Sequence, residues 1–172
     1  MTLECVRLAP RWHGSLAEFF RALVAAGDER EFHPHPLTPE EAGRLCRSAG
    51  HDLYYILVDG ERVLAYGMLR GWDEGYEVPS LGIAVHPGER SRGLARVLME
   101  FLHAAARRRG STRVRLKVYS HNETALRLYR RLGYVFHAEE RGQLVGYLDL
   151  GSERPAPPPP DDAGAGADAN RG

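Results

Sequence analysis

Residues 81–105 constrain the fold most, because the spacing of the apolar positions changes its period within about ten residues. Leu81-Gly82-Ile83-Ala84-Val85 is apolar on both faces, as a buried central strand is. His86-Pro87-Gly88 interrupts it. Leu94, Val97, Leu98, Phe101, Leu102 and Ala105 then fall on one face of a helix, with Gly110 as its C-terminal cap. A two-faced strand that feeds a long amphipathic helix points to a sheet with helices laid on it.

The flanking stretches complete that picture. Residues 3–8 fit an edge strand, and 15–26 carry Leu16, Phe19, Phe20 and Leu23 at helical spacing. Thr38-Pro39-Glu40-Glu41 has the order of cap, first-turn proline and early acids that starts a second helix. Residues 53–58 and 62–69 are β-rich runs around Asp59-Gly60, a hairpin dipeptide, and a third strand is expected over 78–85. Val114, Leu116 and Val118 alternate with Arg113, Arg115 and Lys117 as a strand with one polar face. Asn122 caps a last helix ending at Gly133, and 134–137 and 144–150 close as paired strands. The expected order is β-α-α-β-β-β-α-β-α-β-β.

At 172 residues, 43% of them hydrophobic, the chain suits one core. That core is expected within 1–150, and 151–172, opening with prolines and continuing in Asp, Gly and Ala, is expected to be a disordered tail. No apolar run long enough to span a bilayer and no secretion signal is present, so the expectation is a cytoplasmic protein without a membrane partner. Cys5 and Cys46 lie far apart and suggest neither a disulfide nor a zinc site. The zero net charge conceals a division. Residues 87–131 hold twelve Lys/Arg against three Glu, whereas 14–86 hold twelve Asp/Glu against six Arg. Lys117 is the chain's one lysine, so the basic segment is almost entirely guanidinium, the group suited to bidentate phosphate contact.

Chemistry concentrates at the junction between strand and helix, residues 85–95. A helix start offers unpaired N–H groups and partial positive charge, and it accepts phosphate where neighbouring side chains are small. Ser91, Gly93 and Ala95 meet that condition, and Arg90 and Arg92 flank the turn. No Gly-Lys-Ser/Thr follows and no distal acid completes a dinucleotide fingerprint, so neither of those loops is present.

Arg90-Ser91-Arg92-Gly93-Leu94-Ala95 after the strand resembles the acyl-CoA signature of the GNAT superfamily of N-acetyltransferases, (Arg/Gln)-x-x-Gly-x-(Gly/Ala). Residues 122–134 resemble the family's following motif, Asn-x-x-Ala-x-x-x-Tyr-x-x-x-Gly-(Phe/Tyr), through Asn122, Ala125, Tyr129, Gly133 and Tyr134. The resemblance implies a mixed α/β (α+β) fold with a mostly antiparallel central sheet flanked by helices. It implies acetyl-CoA as co-substrate, with backbone groups of Ile83 and Val85 pairing with the pantetheine arm. The pyrophosphate would rest on the N–H groups of Arg90, Ser91, Arg92, Gly93, Leu94 and Ala95. Asn122 would hold pantetheine or a water, or simply cap its helix. Tyr129 would protonate the departing thiolate, or pack as a core aromatic. A base is also implied, and Glu77, on the approach to the strand and on the face of Ile83 if alternation holds, leads Asp73, Glu74 and His86.

Acceptor contacts are expected from His33 and His35 in the Phe32-His33-Pro34-His35-Pro36 joint, where the family builds its acceptor pocket. Trp72, Asp73 and Glu74 form an aromatic, acidic loop of the kind that stacks on a sugar or attracts an ammonium. Two histidines without a third ligand make no metal site. Three readings stand: an N-acetyltransferase for a small-molecule amine such as an amino sugar; the same enzyme with a protein or peptide acceptor; and a non-catalytic acyl-CoA-binding or nucleic-acid-binding module. Arg107-Arg108-Arg109 lies at a helix C-terminus without stacking aromatics, so no nucleic-acid partner is expected. The family admits a homodimer, for which these residues offer no support.

Overall fold

The computed structural model describes residues 2–151, so the tail expected beyond them lies outside the described residues. The elements are β1 (Leu3–Arg7), α1 (His13–Ala25), α2 (Pro39–Cys46), β2 (Leu53–Asp59), β3 (Arg62–Arg70), β4 (Ser80–Val85), α3 (Leu94–Arg108), β5 (Arg113–Tyr119), α4 (Glu123–Arg131), β6 (Val135–Glu140) and β7 (Gln143–Asp149). This is the expected order. The strands form one seven-stranded sheet, β1-β2-β3-β4-β5-β7-β6, antiparallel except where β4 meets β5.

Local chemistry sets the element ends. The Thr38 hydroxyl accepts from Glu41 N–H at 3.2 Å ahead of Pro39, and the Asn122 side chain accepts from Ala125 N–H at 3.2 Å. Asp59 pairs with Arg62, leaving Gly60-Glu61 as a two-residue hairpin loop. Helices cover the sheet on both faces. Leu16, Phe19, Phe20 and Leu23 of α1 pack with Leu45 of α2 on Ile56, Tyr66 and Met68. Leu98, Met99 and Leu102 of α3 pack with Leu126 and Tyr129 of α4 on Leu57, Leu69, Leu116 and Val118. Each fully buried Leu or Phe contributes about 2 kcal/mol of transfer free energy. No helix among the described residues is long and apolar enough to cross a membrane.

Two expectations need correction. The buried stripe of α3 is Leu94, Leu98, Met99, Leu102, His103 and Ala106, whereas Val97 and Phe101 are 46% and 37% exposed. The helix is rotated because Gly67 of β3 lets Leu98 and Leu102 sit against the sheet backbone; a β-carbon there would stand 2.8 Å from Leu102 Cδ1. The third strand begins at Ser80, not at Val78, and most of its residues are only half-buried, because the sheet opens along one of its edges.

A polar pair sits inside the α3/α4 core, where His103 Nε2 and the Tyr134 hydroxyl lie 2.8 Å apart. Burial, with Arg107 adding to it, holds the His103 imidazole down at about 4, and burial pushes the Tyr134 phenol up. The unfolded chain, with an ordinary imidazole near ~6.5, binds more protons between these two values. This contribution to stability is therefore complete above pH ~6.5 and fades as pH falls toward 4. Burial also lowers His35 and His86, with the same sign. Tm is expected to drop between pH 7 and 4.5, and His103→Gln, which keeps a partner for Tyr134, should flatten the drop. An unaltered slope in thermal melts of the variant would remove His103 from the effect.

Candidate active site

β4 and β5 are joined at one position. Ser80 registers with Arg115, whose N–H donates to the Pro79 carbonyl at 3.0 Å, and beyond that point the strands part. His86 N–H donates to Leu64 of β3 at 2.8 Å, and backbone direction alternates along a strand. Gly82 and Ala84 therefore turn their backbone groups toward β3, and Ile83 and Val85 turn theirs into the cleft. The Ile83 and Val85 side chains pack against the α3/α4 core, which also contains Tyr129.

The strand leads into a turn shaped by His86, whose Nδ1 accepts from Gly88 N–H at 3.1 Å and whose ring lies against Phe19. His86 is thus a turn residue, and burial lowers its pKa. Ser91 and Gly93 are both left-handed, with φ of 62° and 79°, a conformation that is strained for the serine and natural for the glycine. Gly93 caps α3 without a side-chain bond. Among the described residues, the N–H groups of 90–96 find no acceptor. A curled run of unpaired amides at the start of a fifteen-residue helix fits a diphosphate.

The two arginines expected to flank the phosphates are held by carboxylates. Arg90 pairs with Asp28, and Arg92 pairs at 2.9 Å with Glu89, which is 8% exposed and also takes Arg62 at 2.8 Å. Asp28 lies on the 27–38 joint between α1 and α2. This joint reaches β5 as well, through His33 Nε2 and the Tyr119 hydroxyl at 2.9 Å and through Glu31 and His121 at 2.6 Å. It forms a strap from the turn after β4 to the end of β5. Asp28, Glu31 and Glu89 escaped the sequence reading. The signal that pointed to two of them was the charge division, since Asp28 and Glu31 lie in the acidic stretch and Arg90 and His121 in the segment rich in arginine.

Other expected site residues take structural roles. His35 is buried, gives Nδ1–H to the Pro36 carbonyl at 2.8 Å, and meets the Tyr66 hydroxyl with Nε2 at 3.0 Å among Phe20 and Phe32. It is a core group beneath the strap, whereas His33 stays exposed. Among the described residues, no cluster of metal-ligating side chains occurs. The buried Asp52 carboxylate accepts from the N–H groups of Gly71, Trp72 and Asp73 at 2.9, 2.9 and 3.2 Å. Asp73 reciprocates, accepting from His51 and Asp52 N–H at 2.6 and 3.3 Å, and these bonds lower its pKa. Trp72 lies under the Arg109 guanidinium, 5.2 Å away, just past the C-terminal end of α3. The diphosphate turn is at the other end of that helix, about 22 Å away at 1.5 Å per residue. Trp72, Asp73 and the exposed Glu74 thus lie toward the end of α3 opposite the diphosphate turn. Glu77 stands exposed in a bend before β4, so strand alternation does not carry it to the face of Ile83.

Tyr129 lies one turn along α4 from Ala125 and is 9% exposed, with its ring 5.9 Å from Tyr134. Its hydroxyl makes no hydrogen bond among the described residues, and burial pushes its pKa up to about 12. Asn122 caps α4 through its side-chain oxygen, which leaves its NH2 group for a second partner.

The profile of the Acetyltransferase (GNAT) family matches residues 16–134. The fold is similar to that of an acetyltransferase of the GNAT family from Streptococcus pneumoniae, with TM-score 0.74 and 19% identity over 87% of this chain and 100% of that one. It is similar to an N-acetyltransferase from Thermoplasma acidophilum in complex with coenzyme A, with TM-score 0.72 and 13% identity over 87% and 99%. It is also similar to the ribosomal-protein-S18-alanine N-acetyltransferase of Escherichia coli, with TM-score 0.67 and 18% identity over 89% and 98%. With both motifs placed around one cleft and the family profile spanning most of the described residues, this chain belongs to the GNAT acetyltransferase family, acyltransferases that use acetyl-CoA.

Proposed function

We propose that this chain transfers the acetyl group of acetyl-CoA to the primary amine of a small molecule, an amino sugar among the candidates, by direct attack. The observation that carries the proposal is the open edge of β4 running into the unbonded amides of 90–96. In this reading Ile83 and Val85 pair with the pantetheine arm as a missing strand would. Arg90, Ser91, Arg92, Gly93, Leu94 and Ala95 receive the diphosphate, with Arg90 and Arg92 held in place by Asp28 and Glu89. The Asn122 amide, its oxygen committed to the helix, donates to pantetheine or a water.

The amine attacks the thioester carbon, negative charge gathers on the carbonyl oxygen near the β4 amides, and the thiolate departs toward Tyr129. The amine must arrive neutral. Glu77 stands exposed in the bend before β4, off the strand that carries Ile83, and in this reading the proton passes to water. Glu77→Gln is accordingly expected to keep the pH profile of kcat/KM, and loss of its acidic limb would return the base role to Glu77.

A compact acceptor is favoured by the strap, which ties Arg90 to Tyr119 and His121 and brings Phe32 over Gly82. A peptide acceptor would instead use the face of β5 and β7, which lies outside the α1/α2 core. Thiol release from acetyl-CoA, measured across amines, amino sugars and peptides, decides between the two. Turnover confined to peptides would overturn the small-molecule reading.

A further inference from the structure

The acceptor's charge can be read from the sheet, given the acetyltransferase reading above. Val114, Leu116 and Val118 point into the α3/α4 core, so Arg113, Arg115, Lys117 and Tyr119 project from the opposite face of β5. Helices α1 and α2 pack on that face over β2, β3 and β4, but their core includes no residue of β5, β6 or β7. The cleft opens there, between the strap and the half of the sheet that α1 and α2 do not cover. Arg70, Ser80 and Arg115 are register partners in one row across β3, β4 and β5, at the point where the cleft begins to open. Lys117 is the next residue of β5 on the same face, beside the cleft.

This face carries more positive charge than its carboxylates neutralise. Arg113 pairs with Asp149 at 2.8 Å. Arg115 and Lys117 share a single carboxylate, Glu140, at 3.4 and 2.7 Å. Arg70 makes no ion pair among the described residues and gives an Nη hydrogen to the Pro34 carbonyl at 2.8 Å. The Nε atoms of both Arg70 and Arg115 are buried without an acceptor. Half-buried guanidinium groups short of counter-charge carry a desolvation cost that an arriving anion offsets. Lys117, the chain's one lysine, adds a point charge beside the cleft. We infer that the acceptor is an amine bearing an anionic group, carboxylate or phosphate, which Arg115 and Lys117 hold while the amine crosses Gly82 and Ala84 to the acyl carbon.

The test compares matched acceptors under saturating acetyl-CoA: glucosamine 6-phosphate against glucosamine, and β-alanine against β-alaninamide. At least one anionic member is expected to show a kcat/KM about tenfold or more above its neutral partner, a difference that shrinks with added salt. The pair that responds identifies phosphate or carboxylate as the anion. Arg115→Gln and Lys117→Gln should each bring the ratio toward one, and Glu140→Gln, which releases both cations, should raise it. Parity in the starting protein, or a ratio that survives both substitutions, overturns the inference.

Calorimetry keeps the two readings separable. Inorganic phosphate and malonate are titrated into full-length protein saturated with CoA, which occupies the diphosphate turn. Saturable binding of either that weakens about fivefold or more in Lys117→Gln supports the anion site even if no amine in the panel reacts, in which case the missing turnover counts against the acetyltransferase reading alone. No saturable binding of either anion, together with no anionic preference in turnover, removes the site.

Discussion

Gly93→Asp is expected to weaken acetyl-CoA binding by about a hundredfold or more, near 3 kcal/mol, while the protein stays folded. The two effects separate because of where Gly93 stands. A β-carbon there meets nothing within 4 Å, so the strain comes from the left-handed φ of 79° alone, which aspartate tolerates better than most residues. Its carboxylate would also stand at the positive end of the α3 dipole, a favourable placement. These gains offset much of the strain. The same carboxylate, however, crowds the amides proposed to receive the diphosphate and sets a negative charge against it. Gly93→Asn, with similar backbone strain and no charge, should lose much less. Calorimetry with acetyl-CoA and thermal melting of the three proteins provide the measurement, and an unaltered Kd in Gly93→Asp would detach the turn from the diphosphate.

Tyr129→Phe should lower kcat by about 10²-fold or more while the KM for acetyl-CoA stays within about twofold. The phenol, raised to about 12 by burial, remains protonated throughout the working pH range and is always available as a donor. A thiolate with a solution pKa near ~8.5 is a far weaker base than that phenolate, so complete proton transfer to sulfur runs uphill. In the proposed mechanism Tyr129 therefore acts chiefly by hydrogen-bonding the sulfur as charge builds, an interaction made in the transition state, which is why the loss belongs in kcat. Removing one hydroxyl from a ring that is 9% exposed leaves the aromatic packing intact. Steady-state kinetics beside a melting curve checks this, and unchanged turnover would leave Tyr129 as a core aromatic.

What the amino-acid order revealed was what local chemistry controls. Thr38-Pro39, Asn122 and Asp59-Gly60 act through neighbours three or four residues away, so their helix starts and hairpin were readable before any contact was known. The turn from Arg90 to Ala95 was readable for the same reason, since its small residues and helix start are contiguous. Long-range choices were not readable. The period that located α3 did not say which edge of its stripe faces inward; Gly67, on a strand far back in the chain, decides that. The insertion of β7 between β5 and β6, and the parting of β4 from β5 after Ser80, depend on pairing partners rather than on composition. Trp72, Asp73 and His35 looked functional because polar and aromatic groups on loops usually are. The contacts that hold them, Asp52 reaching back to the loop and the Tyr66 hydroxyl on His35 beneath the strap, join residues far apart in the chain.

A sheet whose two halves are joined by a single rung has an internal seam. In the proposed binding mode a donor molecule zips that seam, pairing with the amides of Ile83 and Val85 where a central strand would have a neighbour. Substrate thus doubles as mortar, and by mass action a ligand at a hundred times its Kd adds about 2.7 kcal/mol to the resistance of the fold. If the donor occupies that seam as proposed, the melting temperature of this protein rises with the concentration of acetyl-CoA.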